Sequence, residues 1–282
     1  MRVLLVPNAA NPRSVDAVRE VAAWLAAQDA GPFLVAEDAA ACGLEGFGVP
    51  ASEVGEPELT VALGGDGTVL KAVHLLGEVE RPVLGVNLGR LGFMCGADAD
   101  GMREAITSAL AGEIVIERRT TLAVQAWVGG RESGTFRALN EVHVGRGPSG
   151  RAVEIAVCVD GVEVERFLCD GVIIATPTGS TAYALSAGGP LLAPDLAGFA
   201  IVPVAAHALA CRPLVVGPSA TVELVLPNPA RSEGCFAVDG DSPPCRLPLE
   251  RLTASRGATD VLLARLDSRG FYEALRDSFF GG

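Results

Sequence analysis

The 282-residue sequence predicts an α/β N-terminal domain with a mostly parallel sheet, a β-rich C-terminal domain, and a C-terminal tail that returns to the first domain. Three observations predict it. Apolar β-forming runs alternate with helical-period segments as far as about residue 112, which is the pattern of βαβ units. From about Glu113 to Arg256 strand signals dominate and long helical patterns nearly vanish. Beyond that point a strand run and a helical run return. The expected boundaries are 1–115 together with 258–282 for the first domain, and 116–257 for the second.

The elements follow in order. Val3–Val6 is a short β-branched run closed by Pro7-Asn8. Val15, Val18, Ala22 and Leu25 have helical spacing, with Ser14 placed to cap them. Phe33–Ala36 reads as a second strand and Leu59–Leu63 as a third. The third runs through a glycine turn into a helix carrying Leu70, Val73 and Leu76 on one side. Pro82–Asn87 is a fourth strand. Met102, Ile106, Ala109 and Leu110 mark a helix closed by Gly112.

In the second half, Thr121–Val128 alternates as a half-buried strand does. Ala152–Leu168 reads as two strands around Asp160-Gly161, a strong hairpin signal. Thr221–Pro227 and Cys235–Asp241 continue the strand pattern, Val261–Asp267 resumes it in the tail, and Phe271–Phe280 reads as a short helix.

Composition excludes several function classes. The formal net charge is -12, which disfavours nucleic acid or an acidic membrane surface as the main partner, because both require a basic face. A small phosphorylated ligand remains compatible, since backbone N–H groups and a helix N-terminus can hold it. The seven cysteines form no C-x-x-C pair and are odd in number, so neither a zinc site nor a disulfide framework is expected. No run reaches the roughly 18 apolar residues of a membrane span, and the N-terminal apolar run is too short for a signal peptide, so the expected location is the cytoplasm. His74, His143 and His207 show no metal or triad spacing, and no G-x-S-x-G elbow occurs.

Five segments carry candidate chemistry. Gly64-Gly65-Asp66-Gly67-Thr68 joins a strand to a helix, where backbone can approach a phosphate. It is neither a P-loop nor G-x-G-x-x-G. A carboxylate beside phosphates is repelled unless it holds Mg²⁺ or accepts the proton of a hydroxyl, which points to phosphoryl transfer to an alcohol. The alternative is a tight turn in which Asp66 or Thr68 caps the helix. Val86–Asp98 follows the next strand, so its loop emerges at the same sheet edge, with Phe93 or Arg90 able to contact a base or phosphate, or Phe93 packed in the core.

Asn140-Glu141 lies in an apolar context where one of two neighbouring side chains points inward and needs a partner. Thr176-Pro177-Thr178-Gly179-Ser180-Thr181 places four hydroxyls in six residues after the strand Val172–Ala175, suited to ribose, adenine edges and phosphate. A turn and cap account for one or two of them. His207 reads more simply as a satisfied core histidine than as a catalytic one, and Arg212 as a ligand candidate, because both interrupt an apolar run.

In this order these segments resemble the NAD kinases, which phosphorylate the adenosine-ribose 2′-hydroxyl of NAD to give NADP. The likeness rests on GGDGT, GVNLGRLGF, LNEV, DGVIIATPTGSTAYALSAGGP, HALACRPLVV, VDGD and ARLDSRGFYEALR, and covers nearly the whole chain. It implies Asp66 as the base on the 2′-hydroxyl, with Gly64, Gly65, Gly67 and Thr68 around the donor phosphates. It implies Asn140 and Glu141 at the adenosine end of NAD, and Phe93 against a base. Thr178, Ser180, Thr181, Ala182 and Tyr183 would line the nucleotide pocket, and Asp170 would add a polar contact to NAD, within its own subunit or across a subunit interface. It implies Mg²⁺ or another divalent ion, with ATP or inorganic polyphosphate as donor, and a homodimer or homotetramer. A GGDGT-type lipid or sugar kinase lacks the Asn-Glu and TPTGSTAY segments. A catalytically silent NAD-binding regulator has no need of Asp66 in its glycine loop.

Overall fold

The computed structural model describes residues 1–89, 92–207, 211–229, 234–243, 248–266 and 271–280, and it divides into two compact units, residues 1–118 with 261–282 and residues 119–260. The first unit begins β1 (Arg2–Pro7), α1 (Pro12–Ala26), β2 (Gly31–Val35), α2 (Ala36–Cys42), β3 (Gly48–Val49), β4 (Leu59–Gly64), α3 (Asp66–Leu76), β5 (Pro82–Asn87), β6 (Ala97–Asp98), α4 (Met102–Ala111) and β7 (Val115–Arg119). Its central strands are buried continuously instead of alternately: Val3, Leu4, Leu5 and Val6 are all fully covered, as in a parallel sheet with helices on both faces. The α1 face of Val18, Val21, Ala22 and Leu25 packs on that sheet.

The second unit is all antiparallel. It contains β8 (Leu122–Val128), β9 (Arg131–Ala138), β10 (Glu141–Gly145), β11 (Val153–Val159), β12 (Val162–Cys169), β13 (Gly171–Ala175), the one-turn helix α5 (Tyr183–Ser186), β14 (Phe199–Val204), β15 (Leu214–Val216), β16 (Val222–Val225), β17 (Cys235–Val238) and β18 (Leu249–Arg256). Five strands form one sheet in the order β15-β14-β13-β10-β17, and six form another in the order β12-β11-β16-β18-β8-β9. One apolar core joins them, with Val142, Val172, Ile174 and Phe199 of the first sheet packed with Val124, Ile155, Leu224 and Leu252 of the second. The other face of the five-stranded sheet, through Ile173, Ala175, Ala200 and Val202, is covered by Ala184 and Leu192. β11 and β12 are joined by Asp160-Gly161 with φ of 51° and 81°, the paired positive values of a type I′ turn.

The tail contributes β19 (Val261–Arg265), then α6 (Phe271–Leu275) and a single wide turn, Arg276–Phe280. β19 pairs parallel with β5, and the sheet order is β3-β2-β1-β4-β5-β19-β7, with β6 also on β5. The chain leaves β1 towards β2 and β3 on one side and returns as β4 on the other. The switch point therefore lies at the carboxyl ends of β1 and β4, where α/β sheets bind ligands. Gly64 and Asp66 stand there.

Several local expectations change. Asn11, not Ser14, caps α1: its side chain accepts from the Arg13 N–H at 3.1 Å. Ser14 lies inside the helix, fully buried, and its hydroxyl donates to the Leu63 carbonyl at 2.5 Å and accepts from the Asn8 N–H at 2.9 Å, tying the ends of β1 and β4. Ala36 opens α2 instead of ending β2. α2, β9 and β14 are present beyond the elements that the sequence pattern predicts. His207 is exposed, not a core histidine, because β14 stops at Val204; Arg212 is exposed as well. Arg90 and Cys245 lie outside the described residues, and the six described cysteines are free thiols. No helix among the described residues is long and apolar enough to cross a membrane.

Candidate active site

The site residues of the first unit gather at the switch point. α3 starts at Asp66 with Gly65 as its N-cap and no side chain capping its first turn. Neither Asp66 nor Thr68 caps the helix. A Cβ on Gly65 or Gly67 would meet open space, whereas one on Gly64 would strike the Thr68 hydroxyl. The first turn of α3 has no side-chain cap, and its flanking glycines carry no side chain to crowd it, which suits an anion.

The Asp66 carboxylate turns away from its own helix to the loop after β5. It accepts the Phe93 N–H at 2.9 Å on Oδ2 and the Met94 N–H at 3.1 Å on Oδ1. The Cys95 thiol lies 3.8 Å from Oδ1, and its pKa is pushed up to about 12, by burial first and by the Asp66 charge second. Cys95 is therefore a neutral donor beneath the carboxylate. Gly92 is required by contact: a Cβ there would lie 2.2 Å from Asp66 Oδ1. Gly92→Ala is expected to destabilise the protein by about 1–3 kcal/mol, the range for an overpacked site, read as a fall in Tm.

The Phe93 ring stacks on Phe279 with centroids 5.9 Å apart and planes 18° from parallel, and tilts against Phe271 at 6.1 Å. In the structure the aromatic partners of Phe93 are therefore residues of the tail.

The site residues of the second unit gather where β10 begins. Asn140 and Glu141 are both buried, 7% and 8% exposed, and the Thr178 turn lies against them. The Thr176 N–H donates to the Asn140 carbonyl at 2.8 Å, and the Thr176 hydroxyl donates to the Leu139 carbonyl at 2.5 Å. A Cβ on Gly179 would lie 2.1 Å from the Asn140 carbonyl oxygen, so only glycine permits this approach.

The four hydroxyls of the turn divide unequally. Ser180 donates to the Pro177 carbonyl at 2.6 Å and accepts from the Leu192 N–H at 3.0 Å, and Thr181 donates to the Thr178 carbonyl at 3.0 Å. With Thr176, these build the turn. The Thr178 hydroxyl is buried and meets no partner among the described residues, as are Asn140 Oδ1, Glu141 Oε2 and His143 Nε2. Buried polar atoms without partners are rare in folded proteins, and the three on Asn140, Glu141 and the adjoining Thr178 turn mark a place where a polar ligand can complete the set.

Glu141 is a raised carboxyl in this seat. Its carboxyl is pushed up to about 7, by burial first and by the Asp239 charge second. His143 is two residues further along the same face of β10. Its ring lies edge-on to Tyr183 at 5.4 Å, and burial lowers its pKa. Ala182 links the Thr178 turn to α5, which Tyr183 opens with its side chain 42% exposed. Asp170 stands at the opposite end of β13, paired with Arg146 at 3.1 Å, away from the Asn140 cluster. Cys95, Asp239 and His143 were not singled out in the sequence as site residues. His143 carries no spacing signal, and the partnership of Asp239 with the Asn-Glu segment spans about a hundred residues.

Residues 49–114 match the family model described as the ATP-NAD kinase N-terminal domain, and residues 139–266 match the ATP-NAD kinase C-terminal domain. The chain is 43% identical over 222 residues to the NAD kinase of Mycobacterium bovis, covering 79% of this chain and 72% of the relative. It is 35% identical over 278 residues to the NAD kinase of Desulforamulus reducens, covering 97% and 95%. Among solved structures, an NAD kinase from Archaeoglobus fulgidus in complex with ATP superposes with a TM-score of 0.74 at 26% identity, over 100% of this chain and 98% of that one. Yeast NADH kinase complexed with NADH shares the fold with a TM-score of 0.89 at 23% identity, over 100% and 87%. The chain belongs to the NAD kinase family.

Proposed function

We propose that this protein transfers the terminal phosphoryl group of ATP to the 2′-hydroxyl of the adenosine ribose of NAD, forming NADP and ADP. The observation that supports it most is the set of buried, unpartnered atoms Asn140 Oδ1, Glu141 Oε2 and Thr178 Oγ1, an acceptor-rich surface matched to ribose hydroxyls and an adenine amino group. Asn140 and Glu141 hold the adenosine end, beside Thr178, Ala182 and Tyr183. The Gly64–Thr68 turn receives the donor phosphates on the uncapped amides of α3.

Asp66 orients the attacking hydroxyl and takes its proton. The ribose oxygen bonds to the terminal phosphorus, the bond to the bridging oxygen breaks, and ADP leaves with that electron pair. The amides of Phe93 and Met94 hold the Asp66 carboxylate in one orientation for this role. Magnesium fits as a companion of the donor. Among the described residues no group of three His, Cys, Asp or Glu side chains could hold a metal, so the ion would arrive on the donor's phosphate oxygens and leave the Asp66 carboxylate free to take the proton. When bound, the ion offsets the charge between carboxylate and phosphates. Inorganic polyphosphate presents the same terminal group and serves as an alternative donor. We place the protein in the cytoplasm as a homodimer or homotetramer, with Asp170 contributing from its separate position.

An assay combining the protein with NAD, ATP and Mg²⁺, read by an NADP-specific dehydrogenase, is expected to show NADP formation. NAD binding without NADP would instead identify a silent regulator.

A further inference from the structure

The main chain of Leu139, Asn140 and Glu141 is held entirely by two other segments. Its three carbonyls are taken by the Thr176 hydroxyl, the Thr176 N–H and the Asp239 N–H, the last at 2.9 Å. Its three N–H groups all point at one carboxylate. Asp239 Oδ2 accepts from Leu139 at 2.7 Å, and Oδ1 accepts from Asn140 at 2.7 Å and from Glu141 at 3.0 Å. A carboxylate taking three N–H groups makes strong, directional bonds. Because the main chain needs nothing further, the Asn140 and Glu141 side chains are left with unpartnered oxygens.

Asp239 reaches this place through its own turn. Val238 and Asp241 exchange both backbone hydrogen bonds, at 2.8 and 2.9 Å, and Asp239 and Gly240 between them have φ of 48° and 87°. This is a type I′ turn, which accepts Asn, Asp or Gly at its first central position. The turn therefore does not require a carboxylate there. The three N–H groups do.

We infer that Asp239 is a positioning residue for the nucleotide seat: its carboxylate fixes the Leu139–Glu141 main chain so that the Asn140 and Glu141 side chains face bound NAD. The inference rests on the reading of that seat as the NAD site. Asp239 also has an electrostatic effect that a purely structural residue would lack. The residue opposite Glu141 on β13 is Ala175, and β17 approaches through Val238 and Asp239. On β10 itself His143 is the next residue on that face, with Tyr183 against it. Asp239 is thus the negative charge beside Glu141, and its removal favours the ionised form of Glu141.

The test is Asp239→Asn, which keeps the turn while turning one acceptor into a donor, with Asp239→Gly as a second variant that keeps the positive φ without any side chain. The wild type is first shown to bind NAD by calorimetry; if it does not, the reading of the seat fails, and this inference with it. With binding established, both variants are expected to weaken NAD roughly tenfold or more. In each, the midpoint of the pH dependence of NAD binding should move about one pH unit lower. NAD affinity within twofold of wild type overturns the inference, as does weakened binding with an unmoved pH midpoint. Failure of both variants to fold assigns Asp239 to the fold instead of the site, and overturns it too.

Discussion

Asp66→Asn is expected to lower kcat for NADP formation by roughly a hundred- to ten-thousand-fold, the range contributed by a positioned general base. NAD binding should persist. The asparagine keeps the size of the side chain, but its amide cannot take the proton of a ribose hydroxyl. It also turns one oxygen, now facing the Phe93 or Met94 N–H, into a donor. The loop after β5 is therefore expected to shift as well. Steady-state kinetics separates the two effects: kcat falls and the calorimetric Kd for NAD holds. Turnover near that of the wild type would remove Asp66 from the role of base.

The second large effect belongs to Glu141. Glu141→Gln is expected to weaken NAD by about tenfold to a hundredfold, equivalent to losing one charge-assisted hydrogen bond to a ribose hydroxyl. In the unsubstituted protein the carboxyl is raised from the ordinary 4.5 to about 7. A hydroxyl donates to the ionised form, so NAD affinity should rise as pH increases through about 7. Stability without NAD runs the other way. The folded state prefers neutral Glu141, so this contribution is fully present below about 4.5 and is lost as pH rises through about 7, on the order of 3 kcal/mol in all. NAD titrations across that window check the first statement, and thermal melts check the second. An affinity independent of pH between about 6 and 8 would remove Glu141 from the contact with NAD.

The sequence made the fold legible wherever a local rule governed the element. Continuous apolar runs marked β1, β4 and β5 because strands covered on both faces need no polar alternation. Asp160-Gly161 announced its hairpin because few dipeptides supply two successive positive φ values. The same dipeptide at Asp239-Gly240 went unread as a turn. It sits at the end of a four-residue strand and joins only the single bridge between Val238 and Asp241. Ser14 was misplaced because serine at a helix start most often caps, whereas here Asn11 stands three residues earlier and the Ser14 hydroxyl serves the strand ends.

The chemistry was legible in residue types but not in their partners. Asp66 stood out as a carboxylate among glycines, yet nothing local says that its oxygens meet the amides of Phe93 and Met94. Asn140-Glu141 stood out as polar residues in an apolar run. Their support from Thr176 and Asp239 depends on the register of β10 against β13 and β17, which a sequence does not print. The Thr176, Ser180 and Thr181 hydroxyls close their own turn, a use that a sequence cannot distinguish from facing a ligand.

Identifying the phosphorylated position tests the central claim most directly. The protein is incubated with NAD, ATP and Mg²⁺, and the product is resolved by ³¹P nuclear magnetic resonance. A phosphate monoester on the adenosine-ribose 2′-oxygen, in equal amount to the ADP formed, is the expected result. NAD recovered unchanged, or ADP formed with phosphate on another acceptor, would contradict it.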